Sequence, residues 1–181
     1  MYLLGILLAL CVVFIMLMYN RLIRLRNNVK EAFSTMDVYL KKRFDLIPNL
    51  VETVKGYSKH ESETLEKLVQ ARNALQSASS AEEKVQGEAA LSLGLKNLFA
   101  LAEAYPDLKA NENYLDLQAR LASAEAEIAS ARKYYNGSVK LYNNAVQSFP
   151  GNLVAGLFGF GEMPLYELED VSERQNVRVQ F

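Results

Sequence analysis

From Met1 to Tyr19 no side chain carries a charge, and this run limits what the chain can fold into more than any other feature. About eighteen helical residues at a rise of 1.5 Å span roughly 27 Å, close to the roughly 30 Å hydrocarbon thickness of a bilayer. The run is apolar on every face, which only a very large core or a bilayer could cover. Tyr2 and Tyr19 bracket it, and tyrosine favours membrane interfaces because its ring is apolar while its hydroxyl wants water. A cleaved signal peptide would show a basic leader, a shorter apolar stretch and a small-x-small site. Here only Met1-Tyr2 precede the run and Arg21 follows it directly. The stretch Leu8-Ala9-Leu10-Cys11 carries a bulky Leu10 where a lipidated cysteine would need a small neighbour. Residues 1–20 therefore read as a transmembrane anchor.

Arg21, Arg24, Arg26 and Lys30 crowd the C-terminal flank of the run, while its N-terminal flank has only the α-amino group. By the positive-inside rule the N-terminus lies outside and the remaining chain in the cytoplasm. These four cations would face the inner leaflet, where each contributes on the order of 1 kcal/mol against anionic headgroups. Elsewhere charge is balanced, with 20 Lys plus Arg against 21 Asp plus Glu. That leaves no basic field for nucleic acid, and membrane lipid is the expected partner.

Beyond the anchor, Leu22, Leu25, Val29, Phe33, Met36, Leu40, Phe44, Ile47, Val51 and Val54 recur in steps of three and four. That is the inward stripe of a helix packed on other helices, so the membrane helix is expected to run into the domain without a loop. Pro48 interrupts the stripe, since its ring lacks an N–H and clashes with the carbonyl of Phe44. Asp45 as an N-cap with Pro48 in the first turn points to a break and restart; the unbroken apolar period points to a kink. The break is the expectation adopted here.

A second helix then runs to about Leu75, and Ser80 with Glu83 forms a capping box for a third, Ala81 to Ala104, which Tyr105-Pro106-Asp107 ends. A fourth starts near Asn111 or Asn113 and carries Leu117, Leu121, Ala124, Ile128, Ala131, Tyr135, Val139, Tyr142, Val146 and Phe149, close to a coiled-coil period. Gly137, within it, implies a close backbone crossing or a local bend. Asn136 and Asn143 share one face, either as seam residues that fix register or as residues facing water. The predicted fold is all-α: a transmembrane helix continuing into an elongated antiparallel bundle of about four helices over residues 21–149. Residues 150–181 form a Gly-rich apolar extension and tail.

In that extension Leu153, Leu157, Phe158 and Phe160 sit among glycines, with no charge before Glu162. Such a patch docks on the bundle itself or marks a partner subunit or the membrane interface. Glu167, Glu169, Asp170 and Glu173 then read as a solvated acidic stretch ahead of an extended tail, Val177 to Phe181.

Chemistry is sparse. His60 is the single histidine and Cys11 the single cysteine, so a metal site would have to rest on His60 with Glu61 and Glu63. No Gly-x-Ser-x-Gly elbow or phosphate-binding glycine loop occurs. No enzyme, cofactor or metal is expected. The chain is expected to be a homo-oligomeric membrane scaffold, or an adaptor for another membrane protein.

Several stretches carry a resemblance to a known family: Tyr19-Asn20-Arg21-Leu22, Leu40-Lys41-Lys42-Arg43-Phe44-Asp45-Leu46-Ile47-Pro48-Asn49-Leu50-Val51, Ala71-Arg72, Ala131-Arg132-Lys133-Tyr134-Tyr135-Asn136 and Phe149-Pro150 with Ala155 to Phe160. On these residues the chain resembles the LemA family over essentially its whole length, with Phe33 standing where tryptophan is usual and Tyr39 where glutamine is. The resemblance implies a bacterial plasma-membrane protein with an N-terminal anchor and a cytoplasmic helical bundle. It implies no established enzymatic activity, and a setting in envelope organisation or stress.

Overall fold

The computed structural model describes residues 2–58, 61–78 and 81–166. Among them are six helices and no strand: α1 (Tyr2–Lys55), α2 (Ser62–Ser77), α3 (Ala81–Ala102), α4 (Pro106–Lys109), α5 (Glu112–Gln147) and α6 (Gly151–Phe158). The four long helices are the predicted all-α set, and the apolar run does continue into the domain as one 54-residue helix. The short α4 lies where Tyr105-Pro106-Asp107 reads as a helix end, and α6 lies within what reads as a Gly-rich apolar extension. The Ser80 cap, His60, the acidic stretch from Glu167 and the tail lie outside the described residues.

The chain forms two compact units, and α1 and α5 contribute to both. One unit holds Met1–Lys42 with Ala124–Tyr166. Its helices are antiparallel, because rising numbers in α1 meet falling numbers in α5. The Phe33 ring lies edge-on to Tyr135 at 5.8 Å, and Lys42 reaches Glu127 at 2.7 Å. Leu22, Val29 and Ala32 are buried with Tyr135, Val139, Tyr142 and Val146. Phe33 itself faces outward, contrary to its place in the predicted stripe. The inward position goes to Ala32, which is one step away and fully buried.

The second unit comprises Arg43–Ser123 among the described residues. Ile47, Leu50 and Val54 of α1 pack with Leu65 and Leu68 of α2, Leu91, Leu95 and Leu98 of α3, and Leu117 and Leu121 of α5. Leu108 of α4 and Tyr114 close this core. Helices α2 and α3 come close because Gly87 and Gly94 lie against Leu75 and Leu68; a Cβ at Gly94 would approach Leu68 to 3.0 Å. Asn111 caps α5, its Oδ1 accepting from the Tyr114 N–H at 3.0 Å.

The expected break at Pro48 does not occur: α1 passes through it and ends at Lys55, where the chain turns at Gly56-Tyr57-Ser58. Proline removes the N–H that would bond the carbonyl four residues back, which belongs to Phe44. Arg72 of α2 supplies a replacement, its Nε donating to the Phe44 carbonyl at 3.5 Å. The same guanidinium lies 4.0 Å from the centre of the Phe44 ring. Burial of Ile47 and Leu50 on either side of Pro48 holds the helix on course, so tertiary packing overrides the local rule.

The inward phase of α1 also contains a charge. Arg43 is 1% exposed and pairs with Glu88 of α3, itself 5% exposed; its other terminal nitrogen donates to Ser92 Oγ at 3.3 Å. Removing one partner of a buried pair strands the other's charge and costs about 3–5 kcal/mol. Glu88→Ala should therefore lower unfolding stability by that amount in urea titration, far more than loss of the exposed Lys42–Glu127 pair, at about 0–1 kcal/mol. Arg72→Ala should destabilise the Pro48 protein more than a Pro48→Ala protein, where a restored N–H serves Phe44, by about 1 kcal/mol of coupling in a double-mutant cycle.

Candidate membrane interface and backbone clamp

Helix α1 is long and apolar enough to cross a membrane, and no residue of the apolar window that qualifies it is buried. That exposure fits a membrane anchor, since water would not tolerate such a surface. Tyr2 at the far end is 92% exposed. At the near end Tyr19 meets the C-terminal segment, its ring edge-on to Phe158 at 4.9 Å and to Phe160 at 5.5 Å. Arg21, Arg24, Arg26 and Lys30 all lie exposed directly after it, and Arg24 Nε donates to the Asn20 carbonyl at 3.4 Å.

Helix α6 splits the apolar extension into two faces. Gly151, Val154 and Ala155 are buried, with Phe160 beyond them, in the core made by α1 and α5. A side chain at Gly151 would collide with the carbonyl of Ala145, so the turn from α5 requires glycine there. Leu153 (64% exposed), Leu157 (71%) and Phe158 face outward, and Phe149 at the turn is 78% exposed. Of the four residues expected at a partner contact, the structure thus leaves Leu153, Leu157 and Phe158 outside and seats Phe160 within. Of the outward residues, Leu153 and Leu157 share an apolar groove with Leu7, Leu10, Phe14 and Leu17 of α1.

After Gly159, whose left-handed φ of 71° ends α6, residues 161–166 run without helix or strand along α5. Two Tyr-Asn pairs hold this strap. Asn143 donates from Nδ2 to the Met163 carbonyl at 2.8 Å and accepts from the Met163 N–H at 2.9 Å. Asn136 repeats the pattern on Tyr166, at 3.0 Å and 2.8 Å. An asparagine amide offers one donor and one acceptor edge, as a peptide group does, so it reads backbone in the way a neighbouring strand would. The hydroxyl of Tyr142 donates to the Gly161 carbonyl and that of Tyr135 to the Pro164 carbonyl, each at 3.0 Å.

Both expected roles for the asparagines, helix seam and solvent, are thereby corrected. The partner is an extended segment twenty to thirty residues onward, invisible to a period count. The signal present was the Tyr-Asn doublet at 135–136 and again at 142–143. Gly137 marks no close crossing: it is exposed, a Cβ there would meet nothing within 4 Å, and α5 continues through it.

Burial pushes the phenols of Tyr135 and Tyr142 up from their ordinary value, with Arg26 pulling Tyr142 part of the way back. A raised folded-state value favours the protonated donor. The stabilisation is therefore complete below the ordinary phenol range near pH ~10 and is lost as pH rises through the raised values.

Among the described residues no three His, Cys, Asp or Glu side chains converge on a common point. The Glu63 carboxylate instead pairs with Lys67 at 2.6 Å, and Glu61 accepts from the Tyr105 hydroxyl at 3.4 Å.

Asn143→Ala removes two neutral hydrogen bonds at once, so we expect a loss of about 1–3 kcal/mol in urea titration. Hydrogen exchange should show the Met163 amide deprotected, while amides in the α2–α3 hairpin keep their protection.

A relative in Metamycoplasma hominis, described as Protein LemA, is 28% identical over 163 residues, covering 87% of this chain and 72% of its own length. The model of the LemA family matches residues 32–181, from the middle of α1 through the clamp and beyond. With that match extending over most of its length, the chain belongs to the LemA family.

Proposed function

We propose that this chain is a non-enzymatic structural protein of the bacterial plasma membrane that associates with copies of itself and organises or remodels the bilayer. Residues 1–20 anchor it with the N-terminus outside. Arg21, Arg24, Arg26 and Lys30 hold the helical domain on the cytoplasmic side. The observation that carries the proposal is the exposed apolar surface, which extends from the anchor face of α1 onto α6. A protein that acted only in solution would not leave so much hydrocarbon in water.

Self-association is assigned to a second strip, on the outer face of α5. Tyr134 and Leu141 are exposed one heptad apart, with Gly137 between them lining the same shallow groove. Glycine lowers the wall of such a groove, so another helix can approach. The same strip would equally serve an adaptor that holds a membrane protease, and the composition of cross-linked species separates the two.

With Cys11 replaced by serine, Leu141→Cys should give in native membranes a cross-linked dimer at twice the 20.4 kDa chain on treatment with a short bifunctional thiol reagent. Adding Gly137→Leu should suppress that dimer band. Monomer alone would sink the scaffold proposal, and one discrete band containing a different membrane protein would select the adaptor.

A further inference from the structure

We propose that α6 is a second membrane-embedded element. It lies in the leaflet on the domain's side of the bilayer, with the acyl chains of that leaflet filling the groove between its outward face and α1. The inference rests on the membrane-anchor role of α1 and is independent of self-association.

Depth carries the first part of the argument. If Tyr19 sits at the interface, Leu10 lies about 14 Å further in at 1.5 Å per residue, near the middle of a roughly 30 Å hydrocarbon layer. The groove that Leu153 and Leu157 share with α1 is lined by residues from Leu7 to Leu17, so those two leucines lie at hydrocarbon depth. Whatever surrounds this part of a membrane-crossing helix also surrounds them, and that is lipid acyl chain.

Composition and backbone carry the second part. No charge occurs between Lys140 and Glu162. Asn152 is the one polar side chain on the exposed face of α6. Lipid also requires that backbone N–H and C=O groups be satisfied internally, and the turn into α6 meets part of this demand. The Ser148 N–H donates to the Asn144 carbonyl and the Asn152 N–H to the Ser148 carbonyl, both at 2.9 Å, while Pro150 has no N–H to satisfy. At the other end the Phe160 N–H donates to the Ala155 carbonyl at 2.9 Å. The segment re-emerges at Glu162, where the Tyr-Asn clamp takes hold of the chain. An apolar element confined to one leaflet enlarges that leaflet alone, which gives a physical route to bending the membrane.

The test uses full-length protein in phosphatidylcholine–phosphatidylglycerol vesicles, carrying an environment-sensitive fluorophore on a single thiol. The thiol is native Cys11, or Leu157→Cys or Leu153→Cys in a Cys11→Ser background, with helicity checked by circular dichroism. Expected is loss of emission at both leucine positions with nitroxide-labelled acyl chains, comparable to the loss at Cys11, and protection of all three from aqueous iodide. Iodide quenching at 153 and 157 with Cys11 protected would overturn the embedding of α6 alone. Iodide quenching at Cys11 as well would overturn the anchor and the inference with it. Protection of 157 from both quenchers would mean that protein covers the face, and would also overturn the proposal.

Discussion

A helix that carries a proline in its interior holds only if something replaces the bond that proline deletes. In α1 that something is Arg72, which supplies both a donor to the Phe44 carbonyl and a cation over the Phe44 ring. The neighbouring residues compound the effect. Arg43 is drawn into the α3 interface by Glu88, and Ile47, Leu50 and Val54 fill the core around α2, α3 and α5. The stretch from Arg43 to Val54 is thus where α1 packs with α2 and α3. Each polar device there either repairs the backbone or selects one way of packing it.

Much of the architecture was legible because hydrophobic period is a strong signal. The uncharged run, the inward stripe of α1 at Leu22, Val29, Met36 and Ile47, and the long α5 all follow from spacing. Failures came where a distant partner decided the outcome. Pro48 reads as a breaker until Arg72 is placed beside it. Arg43 falls on the inward phase between Met36 and Ile47, yet spacing alone does not name Glu88 as the partner that admits its charge there. Phe33 follows the apolar rule yet stays half exposed, its ring edge-on to Tyr135, while its neighbour Ala32 is buried. For Gly137 packing gives no reason, since open space surrounds it.

The exposed apolar residues show the same divide. The apolar run of α1 is visible in one dimension, as a length without charge. The sidedness of α6 is not, because Val154 and Ala155 face the core while Leu153 and Leu157 face out, and all four are simply apolar in sequence. Only the placement of Tyr19 against Phe158 and Phe160 ties this short helix to a level along α1.

The two Tyr-Asn doublets also act as a ruler. Asn136 and Asn143 are seven helical residues apart, about 10.5 Å along α5, and they grip Tyr166 and Met163, three extended residues apart at about 10 Å. Helix and strap are commensurate at that ratio and at few others. A single-residue insertion between Met163 and Tyr166 would leave one amide facing a peptide group out of phase, whereas side-chain changes along the strap keep every backbone group where it is. The clamp therefore constrains how many residues the strap contains more tightly than which residues they are, and length is the property this short segment has least freedom to change.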